Sequence, residues 1–293
     1  MKKIKNAVVL TLSKNLTFSA GTLILNLEDI MKDVIEEYVV IHDGIREKDK
    51  LILSSLAKVR FIKYEKPEYF FKKIDPLIMN QFTKLVFAKF ECLRLLEEYE
   101  NIIMTDTDVV FYKNIEELLI KNNSGLKFLF GSSLVRSQFK ESIDGYDMTL
   151  KGMGAGLIVF HDNLKAYNKL YDFCYGVLTE YGDKIKMPEQ AVFDLMIQNY
   201  KLFPCELDAK VYCRLPKDQY ADQNYKILHS AGQPKFWSGL DNEIWQKYYI
   251  EWIRLGGSHF DKKKYWINII APVSSRRRKL VQATYHKLLG FGK

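Results

Sequence analysis

Two aspartates separated by one residue are the first side chains of this sequence that suggest chemistry. Asp106 and Asp108 directly follow the apolar, β-rich run 101–105. Successive side chains of a strand point to opposite faces, but a turn at the strand end lets both carboxylates converge on one cation. Carboxylate oxygens with open coordination positions suit Mn²⁺ or Mg²⁺ bridging a diphosphate. A lone Asp-x-Asp is more often a turn or a helix cap, so the pattern needs a second element.

That second element is a histidine, a glycine and a lysine spaced along one segment. His229, Gly232 and Lys235 follow the apolar run 225–228. An imidazole nitrogen can be a third metal ligand. Glycine lets the backbone approach a phosphate closely, and a lysine can neutralise the charge that grows on a leaving diphosphate. Taken alone, the segment is equally consistent with a loop that holds a hydrogen-bonded histidine and a solvated lysine.

The elements that must position these residues alternate between strands and helices. Apolar runs predict strands at 7–12, 38–42, 59–64 and 101–105, and amphipathic spacing predicts helices at 20–31, 48–56 and 82–98. This alternation predicts βαβ units and a mostly parallel sheet. In such a sheet, ligands bind beyond the carboxyl ends of the strands. We therefore expect the site at 11–15, 43–44 and 106–108.

The two candidate segments together resemble the paired signatures of one enzyme family. They are Thr105-Asp-Thr-Asp108 followed by Asn114-Ile-Glu-Glu-Leu-Leu, and His229-x-x-Gly-x-x-Lys-x-Trp237. The family is glycosyltransferase family 8, which includes glycogenin and bacterial lipopolysaccharide galactosyl- and glucosyltransferases, and the resemblance covers residues 7–237. It implies an α/β fold of the GT-A type, with a Rossmann-like, mostly parallel central sheet flanked by helices. It also implies transfer of a hexose from a UDP-sugar, bound through Mn²⁺ (or Mg²⁺), with retention of the anomeric configuration.

The resemblance assigns roles to single positions. The metal ligands that it implies are Asp106, Asp108 and His229. The donor contacts that it implies are Thr11, Ser13, Lys89, Thr107, Gly154, Ala155, Gly156, Gly232 and Lys235. Thr11 and Ser13 fall where the family holds the uracil and the ribose. Lys89 matches a basic residue that the family places against the donor, and its alternative interpretation is a solvated lysine on a helix.

Two further segments resemble the family with departures from its pattern. Gly154-Ala-Gly156 resembles an Asn-Ala-Gly segment that contacts the transferred sugar, with glycine in place of the asparagine. Pro188-Glu-Gln-Ala191 resembles an Asp-Gln-Asp segment, with glutamate for the first aspartate and alanine for the second. The resemblance makes Gln190, Glu189 and Lys235 the catalytic residues. The departures leave the donor sugar open, with glucose and galactose favoured.

Both departing segments also have a purely structural interpretation. The first would be a glycine-rich entry to a strand, and Pro188-Glu189 would open a helix over 190–199. No carboxylate in the matched segments stands out as a nucleophile. The pattern therefore favours attack of the acceptor on the same face from which the diphosphate leaves, with Gln190 orienting or stabilising the sugar.

Composition and charge limit the remaining possibilities. The chain has 293 residues, of which 47 % are apolar and only seven are proline, which is typical of a packed globule. The four cysteines include no C-x-x-C pair and are expected to be reduced. We expect a GT-A catalytic domain at 1–240, with a nucleotide-sugar half at about 1–112 and an acceptor side at about 113–240. A helical, basic C-terminal extension would occupy 241–293.

The C-terminal tail carries much of the net charge of +8. Residues 274–293 contain six lysines and arginines and no acid, and their apolar residues have helical spacing. A basic amphipathic helix suits an anionic membrane surface, and its alternative is a helix packed on the domain. Since no signal peptide and no run long enough to cross a bilayer is visible, we expect a cytoplasmic protein, and the tail would allow peripheral binding to the inner face of the membrane.

The expected partners follow from the same resemblance. They are a UDP-sugar donor and a glycan or lipid-linked glycan acceptor, in bacterial cell-surface polysaccharide or lipopolysaccharide synthesis. No nucleic acid is expected, because the sequence has no recognised nucleic-acid-binding module. The alternative function is a nucleotide-sugar-binding protein of the same fold without transferase activity, which the residues at 154 and 191 would support.

Overall fold

The computed structural model describes residues 2–218, 224–232 and 234–261. The strands in this part of the chain are β1 Ile4–Leu12, β2 Glu37–His42, β3 Val59–Lys63, β4 Tyr99–Thr105, β5 Val109–Phe111, β6 Leu126–Leu134, β7 Lys151–His161, β8 Cys205–Leu207 and β9 Ile227–His229. The α-helices are α1 Thr17–Met31, α2 Glu47–Leu56, α3 Pro76–Phe82, α4 Glu91–Leu95, α5 Tyr167–Tyr181, α6 Pro188–Asn199, α7 Ala209–Tyr212 and α8 Glu243–Arg254.

Seven strands form one twisted central sheet in the order β3-β2-β1-β4-β7-β6-β8. Strands β3, β2, β1 and β4 are parallel to one another, and β8 is parallel to β6. Strand β7 runs antiparallel to both β4 and β6. The expected mostly parallel α/β sheet is therefore confirmed. A separate two-stranded antiparallel ribbon, β5-β9, lies beside it.

The apolar runs of the strands are continuous because both faces of the sheet are covered. In β1, Val9 faces a core that includes residues of α4, α5 and α6, whereas Val8 and Leu10 face a core that includes residues of α1, α2 and α8. A parallel sheet buried on both faces gives such near-continuous runs instead of alternation. The β5-β9 ribbon belongs to the second core, on the side of α1.

The prediction of a single helix at 82–98 is wrong. The chain there consists of the end of α3, a 3₁₀ segment over Lys84–Phe90, and the short helix α4. The break occurs at Thr83, because its φ of 62° is incompatible with a right-handed α-helix. Its hydroxyl accepts a hydrogen bond from Leu85 N–H at 3.3 Å. Helical spacing predicted the buried positions but could not detect this turn.

Helix α8 is the first helix of the expected C-terminal extension 241–293. Helix α8 packs on α1, and its Trp252 is fully buried in the same core as β1. Its N-terminus is capped by Asn242, which accepts a hydrogen bond from Trp245 N–H at 2.8 Å. The basic tail 274–293 lies outside the described residues.

Candidate active site

The loop between β4 and β5 is held from several sides by backbone hydrogen bonds. Asp106 N–H donates to the carbonyl of Gly156 at 3.1 Å, and Ser230 donates to the carbonyl of Asp108 from both N–H and hydroxyl, at 2.9 and 3.0 Å. On β5, Phe111 exchanges two hydrogen bonds with the side-chain amide of Asn26. The backbone that carries both aspartates is therefore fixed by α1, β7 and the segment after β9.

Pairing of β5 with β9 brings the histidine to the aspartates. Val109 is directly opposite His229 in this ribbon. The imidazole Nε2 lies 3.2 Å from Asp108 Oδ1 and 3.7 Å from Asp106 Oδ2. Its Nδ1 lies 3.4 Å from the sulfur of Cys213. The ring is thus held with Nε2 toward both carboxylates.

The three side chains fit a divalent cation. Asp106, Asp108 and His229 each offer one ligand atom, and these atoms lie within 4.8 Å of one another. Two carboxylate oxygens and one imidazole nitrogen are ligands that Mn²⁺ accepts, and Mg²⁺ accepts the oxygens more readily than the nitrogen. Asp106 remains partly exposed, which leaves access for a further ligand.

Charge within the cluster favours the ionised form of Asp108. Burial alone would raise its pKa, but His229 and Lys235 outweigh this and hold the pKa of Asp108 well below its usual range. Burial likewise opposes protonation of His229, but the neighbouring Asp108 raises the pKa of this imidazole. A carboxylate that stays ionised is available to a cation.

Lys235 lies at the edge of this cluster, after a tight turn. Its Nζ donates to Asp108 Oδ2 and to the carbonyl of Ser230, the latter at 2.8 Å. Gly232 in the turn has a φ of 82°, and a Cβ there would meet nothing within 4 Å, so the turn favours glycine for its backbone conformation and leaves open space above it. Trp237 anchors the far end of the segment edge-to-face on Phe18, with ring centroids 5.4 Å apart.

A bulge in β7 brings its backbone to the cluster of Asp106, Asp108 and His229. Phe128 of β6 pairs with Ile158, but the next residue, Leu129, pairs with Gly154, so residues 155–157 of β7 form the bulge. Gly156 lies against the histidine: a Cβ there would be 2.5 Å from His229 Cε1. A Cβ at Gly154 would meet only Leu129, at 3.8 Å. Ala155 points into the opposite core.

Lys89 links the cluster to helix α6. Its Nζ lies 2.8 Å from Asp106 Oδ1, 2.8 Å from Glu189 Oε1 and 3.0 Å from the carbonyl of Ala155. Burial opposes its charge, but Asp106 and Glu189 outweigh burial and raise the pKa of Lys89 above its usual range. The alternative interpretation as a solvated lysine is wrong, because the side chain is 5 % exposed. Gln190, the next residue of α6, is half-buried, and its side-chain amide makes no hydrogen bond to the described residues.

The remaining predicted donor contacts lie along the same edge of the sheet. Thr11 and Ser13 are half-buried at the end of β1, the neighbour of β4. Thr107 is buried between the two aspartates, and its hydroxyl accepts a hydrogen bond from Ser19 at 2.8 Å. Whether these residues contact a donor stays a prediction.

Sequence reasoning missed several residues that shape the cluster. Ser230 follows the histidine in the second motif, but nothing in the spacing showed that it would bind Asp108. Cys213 was expected only to be reduced, and its sulfur contacts the imidazole. Asn26 lies inside a helix with no local signal. Each of these contacts joins segments that are distant in the sequence, which no sequence period reveals.

A family model of glycosyl transferase family 8 matches residues 7–241 of the chain. This protein belongs to glycosyltransferase family 8. It is therefore a glycosyltransferase, and its cluster of Asp106, Asp108 and His229 lies inside the matched region. No curated protein matches the chain.

Solved structures agree with the family in fold. The galactosyltransferase LgtC, crystallised with donor and acceptor sugar analogs, is similar with a TM-score of 0.65 and 13 % identity, over 88 % of this chain and 98 % of that chain. The bifunctional glycosyltransferase WbbM gives 0.63 and 15 %, over 90 % of this chain and 52 % of that chain. GlyE of Streptococcus pneumoniae TIGR4 gives 0.58 and 13 %, over 86 % and 64 %. The fold of this family 8 glycosyltransferase is thus GT-A.

Among the helices of the described residues, none has both the length and the apolar composition that a bilayer crossing requires.

Proposed function

We propose that this protein is a retaining hexosyltransferase, which transfers glucose or galactose from a UDP-sugar to a glycan acceptor and requires Mn²⁺ or Mg²⁺. The observation that carries the proposal is the convergence of Asp106, Asp108 and His229, with Lys235 beside them. When bound, the cation supplies positive charge against the diphosphate. The solved complex of LgtC with donor and acceptor sugar analogs supports the same class of chemistry.

Lys235 and Gly232 act on the leaving group in this mechanism. The Lys235 ammonium lies at the rim of the cluster, where it can approach an oxygen of the departing diphosphate and stabilise the charge that develops there. The open turn at Gly232 lets a phosphate approach the backbone. Stabilisation by Lys235 grows as the bond between the anomeric carbon and the diphosphate breaks, because negative charge then develops on the leaving group.

Gln190 acts on the sugar. Its amide has no partner among the described residues, so both its donors and its acceptor are available. An amide carries no charge and is a poor nucleophile, so its role is to orient the sugar or to stabilise positive charge through its oxygen. The nearby carboxylates are already paired: Asp106 and Glu189 with Lys89, and Asp108 with Lys235. This pairing supports attack of the acceptor hydroxyl on the face that the diphosphate leaves.

The wider assignments belong to the same proposal. Residues 1–240 would form the catalytic domain, with the donor bound by about 1–112 and the acceptor by about 113–240. Thr11 and Ser13 would hold the uracil and ribose, and Thr107 and residues 154–156 would line the donor. The acceptor would be a glycan or lipid-linked glycan of a bacterial cell surface, reached by a cytoplasmic enzyme whose tail 274–293 binds the inner face of the membrane.

One experiment tests the central assignment. The full-length protein is incubated with a panel of UDP-sugars with Mn²⁺, with Mg²⁺ and with a chelator, and UDP release is measured. We expect release from UDP-glucose or UDP-galactose that stops in the chelator. Asp108→Asn should abolish release and should weaken UDP binding only when Mn²⁺ is present. Equal UDP affinity with and without Mn²⁺ in the parent protein would contradict the metal assignment.

A second candidate is a nucleotide-sugar-binding protein of the same fold without activity. It is favoured by Gly154 and Ala191, where the related pattern has polar side chains. Metal-dependent binding of UDP-sugars without release of UDP, with every acceptor tried, would support this candidate over the transferase.

A further inference from the structure

The ammonium group of Lys89 lies among three oxygen atoms of the protein: it donates hydrogen bonds to two of them and forms an ion pair with the third. An ammonium group can donate three hydrogen bonds and accepts none. The three acceptors within 3.0 Å of Nζ are Asp106 Oδ1, Glu189 Oε1 and the carbonyl oxygen of Ala155. Because only 5 % of the side chain is exposed and these three oxygens surround Nζ, little of the ammonium group is accessible to a bound nucleotide sugar.

We propose that Lys89 is a positioning residue of the metal site, which acts through Asp106 and Glu189 and does not touch the donor. The inference rests on the proposed function, because it takes Asp106 as a metal ligand. It replaces the donor contact that the family resemblance implies for Lys89. Lys89 binds Asp106 Oδ1, and the other oxygen, Oδ2, then lies toward His229 Nε2 at 3.7 Å.

Asp106 needs such a partner more than Asp108 does. Asp108 is largely buried, and both of its carboxylate oxygens are bonded, to His229 and to Lys235. Asp106 has 31 % of its side chain exposed, and Lys89 contacts it at 2.8 Å, whereas His229 Nε2 is 3.7 Å away. Partners that orient metal ligands from behind often control metal affinity almost as strongly as the ligands themselves.

The same ammonium joins the metal ligand to the helix that carries Gln190. Glu189 lies in the first turn of α6, where a negative charge is favoured by the helix dipole. Lys89 therefore holds the start of α6, the bulge of β7 and Asp106 at one point. Metal and sugar would be held in a fixed relation, because both of their binding groups are tied to this one side chain.

If Lys89 acted on the metal only through its charge, its effect on metal binding would have the opposite sign. A positive charge beside a cation site repels the metal, so a lysine that acted only as a neighbouring charge would weaken binding, and its removal would tighten binding. A lysine that orients a ligand strengthens binding, and its removal weakens it. The direction of the change in Mn²⁺ affinity separates the two roles.

The test is calorimetric titration of Mn²⁺ alone into the full-length protein, without any sugar nucleotide. Lys89→Met should weaken Mn²⁺ binding by about 10- to 100-fold, the usual range for loss of an orienting partner. Lys89→Arg keeps a cation and N–H donors and should lose less. The matched control is Lys127→Met, since Lys127 is also buried but donates to the carbonyl of Ile120. It should keep the parent affinity, and thermal unfolding checks that each variant is folded.

A double variant keeps the test decisive if Lys89→Met does not fold. Removing the lysine leaves Glu189 as an unpaired buried carboxylate, which is strongly destabilising. Lys89→Met/Glu189→Met removes that carboxylate as well, leaves Asp106 untethered, and should show the same loss of Mn²⁺ affinity. Unchanged or tighter Mn²⁺ binding by either folded variant overturns the inference. Normal Mn²⁺ binding with weaker UDP binding would instead indicate that Lys89 contacts the donor directly. If the parent protein itself binds no Mn²⁺, the proposed function fails together with the inference. If the parent binds Mn²⁺ and the variants bind it equally well, only the inference about Lys89 fails.

Discussion

The absence of a side chain at Gly156 leaves the space that the imidazole of His229 occupies. The ring lies where a side chain at 156 would begin, since a Cβ there would be 2.5 Å from Cε1 and 2.7 Å from Nδ1. The backbone of Gly156 is not in the left-handed region, so the requirement for glycine comes from space and not from conformation. A methyl group added at Gly156 is therefore expected to displace the imidazole and so to disturb the proposed metal site.

Gly156→Ala should weaken Mn²⁺ binding by at least about tenfold, because the methyl group must displace the ring from the two carboxylates. Gly154→Ala is the matched control, two residues earlier in the same strand, where a Cβ would make only ordinary contacts at 3.8 Å. Calorimetric titration of Mn²⁺ measures both variants. Equal affinity in the two would show that the imidazole is not a ligand or that it moves without cost.

Lys235→Ala should reduce kcat more than it reduces donor affinity, because charge on the leaving diphosphate is greatest in the transition state. Steady-state kinetics with a saturating acceptor measure both quantities, and Mn²⁺ titration checks that Asp108 still binds the metal. Lys226→Ala is the control, since its Nζ binds Glu117 and the carbonyl of Asn114. A normal kcat with only a raised KM would make Lys235 a binding residue.

The buried Asp194 of α6 should make the protein less stable as pH rises. Burial raises its pKa to about 7, while the Met153 N–H and Gln138 only partly oppose this. An acid whose pKa is higher in the folded state than in the unfolded state, here 3.8, destabilises the fold as pH rises between the two values. The loss is up to about 1.4 kcal/mol per pH unit.

Asp194→Asn should remove this dependence while keeping an oxygen for the Met153 N–H. Urea unfolding of parent and variant at pH 5 and pH 7 measures the effect. We expect the variant to gain stability relative to the parent at pH 7. A constant difference between the two proteins at both pH values would show that the carboxyl group does not titrate in this range.

Deleting 274–293 should abolish sedimentation of the protein with anionic liposomes and leave activity on a soluble acceptor largely intact. Basic side chains near an anionic surface contribute about 1 kcal/mol each, screened by salt. The full-length protein should accordingly be released from the liposomes by raised salt. Unfolding of the truncated protein, or indifference of the intact protein to anionic liposomes at low salt, would mean that the tail is structural.

Local patterns in the sequence predicted much of the sheet. The strands expected at 7–12, 38–42 and 59–64 match β1, β2 and β3 closely, because buried parallel strands give continuous apolar runs. The helix expected at 82–98 was wrong, because the turn at Thr83 depends on one backbone angle that helical spacing does not report.

The candidate site was predictable only in part. The Asp-x-Asp pair and the histidine segment were visible as motifs, and the family resemblance joined them. The partners of Lys89 were not visible, since Asp106, Ala155 and Glu189 come from three distant elements. The bulge in β7 was also invisible, because it is defined by pairing with β6 and not by its own composition.

The β5-β9 ribbon has a consequence for synthesis of the protein. The hydroxyl of Ser230 binds the Asp108 carbonyl across a separation of 122 residues, and His229 enters the cluster through the same pairing. On the ribosome, the two aspartates emerge long before the strand that completes their site, and a contact of such high sequence separation forms slowly. A nascent chain that ends between β5 and β9 has two of the three proposed ligands, and we expect it not to retain Mn²⁺. Products of premature termination before His229 are therefore expected to bind Mn²⁺ more weakly than the full-length protein.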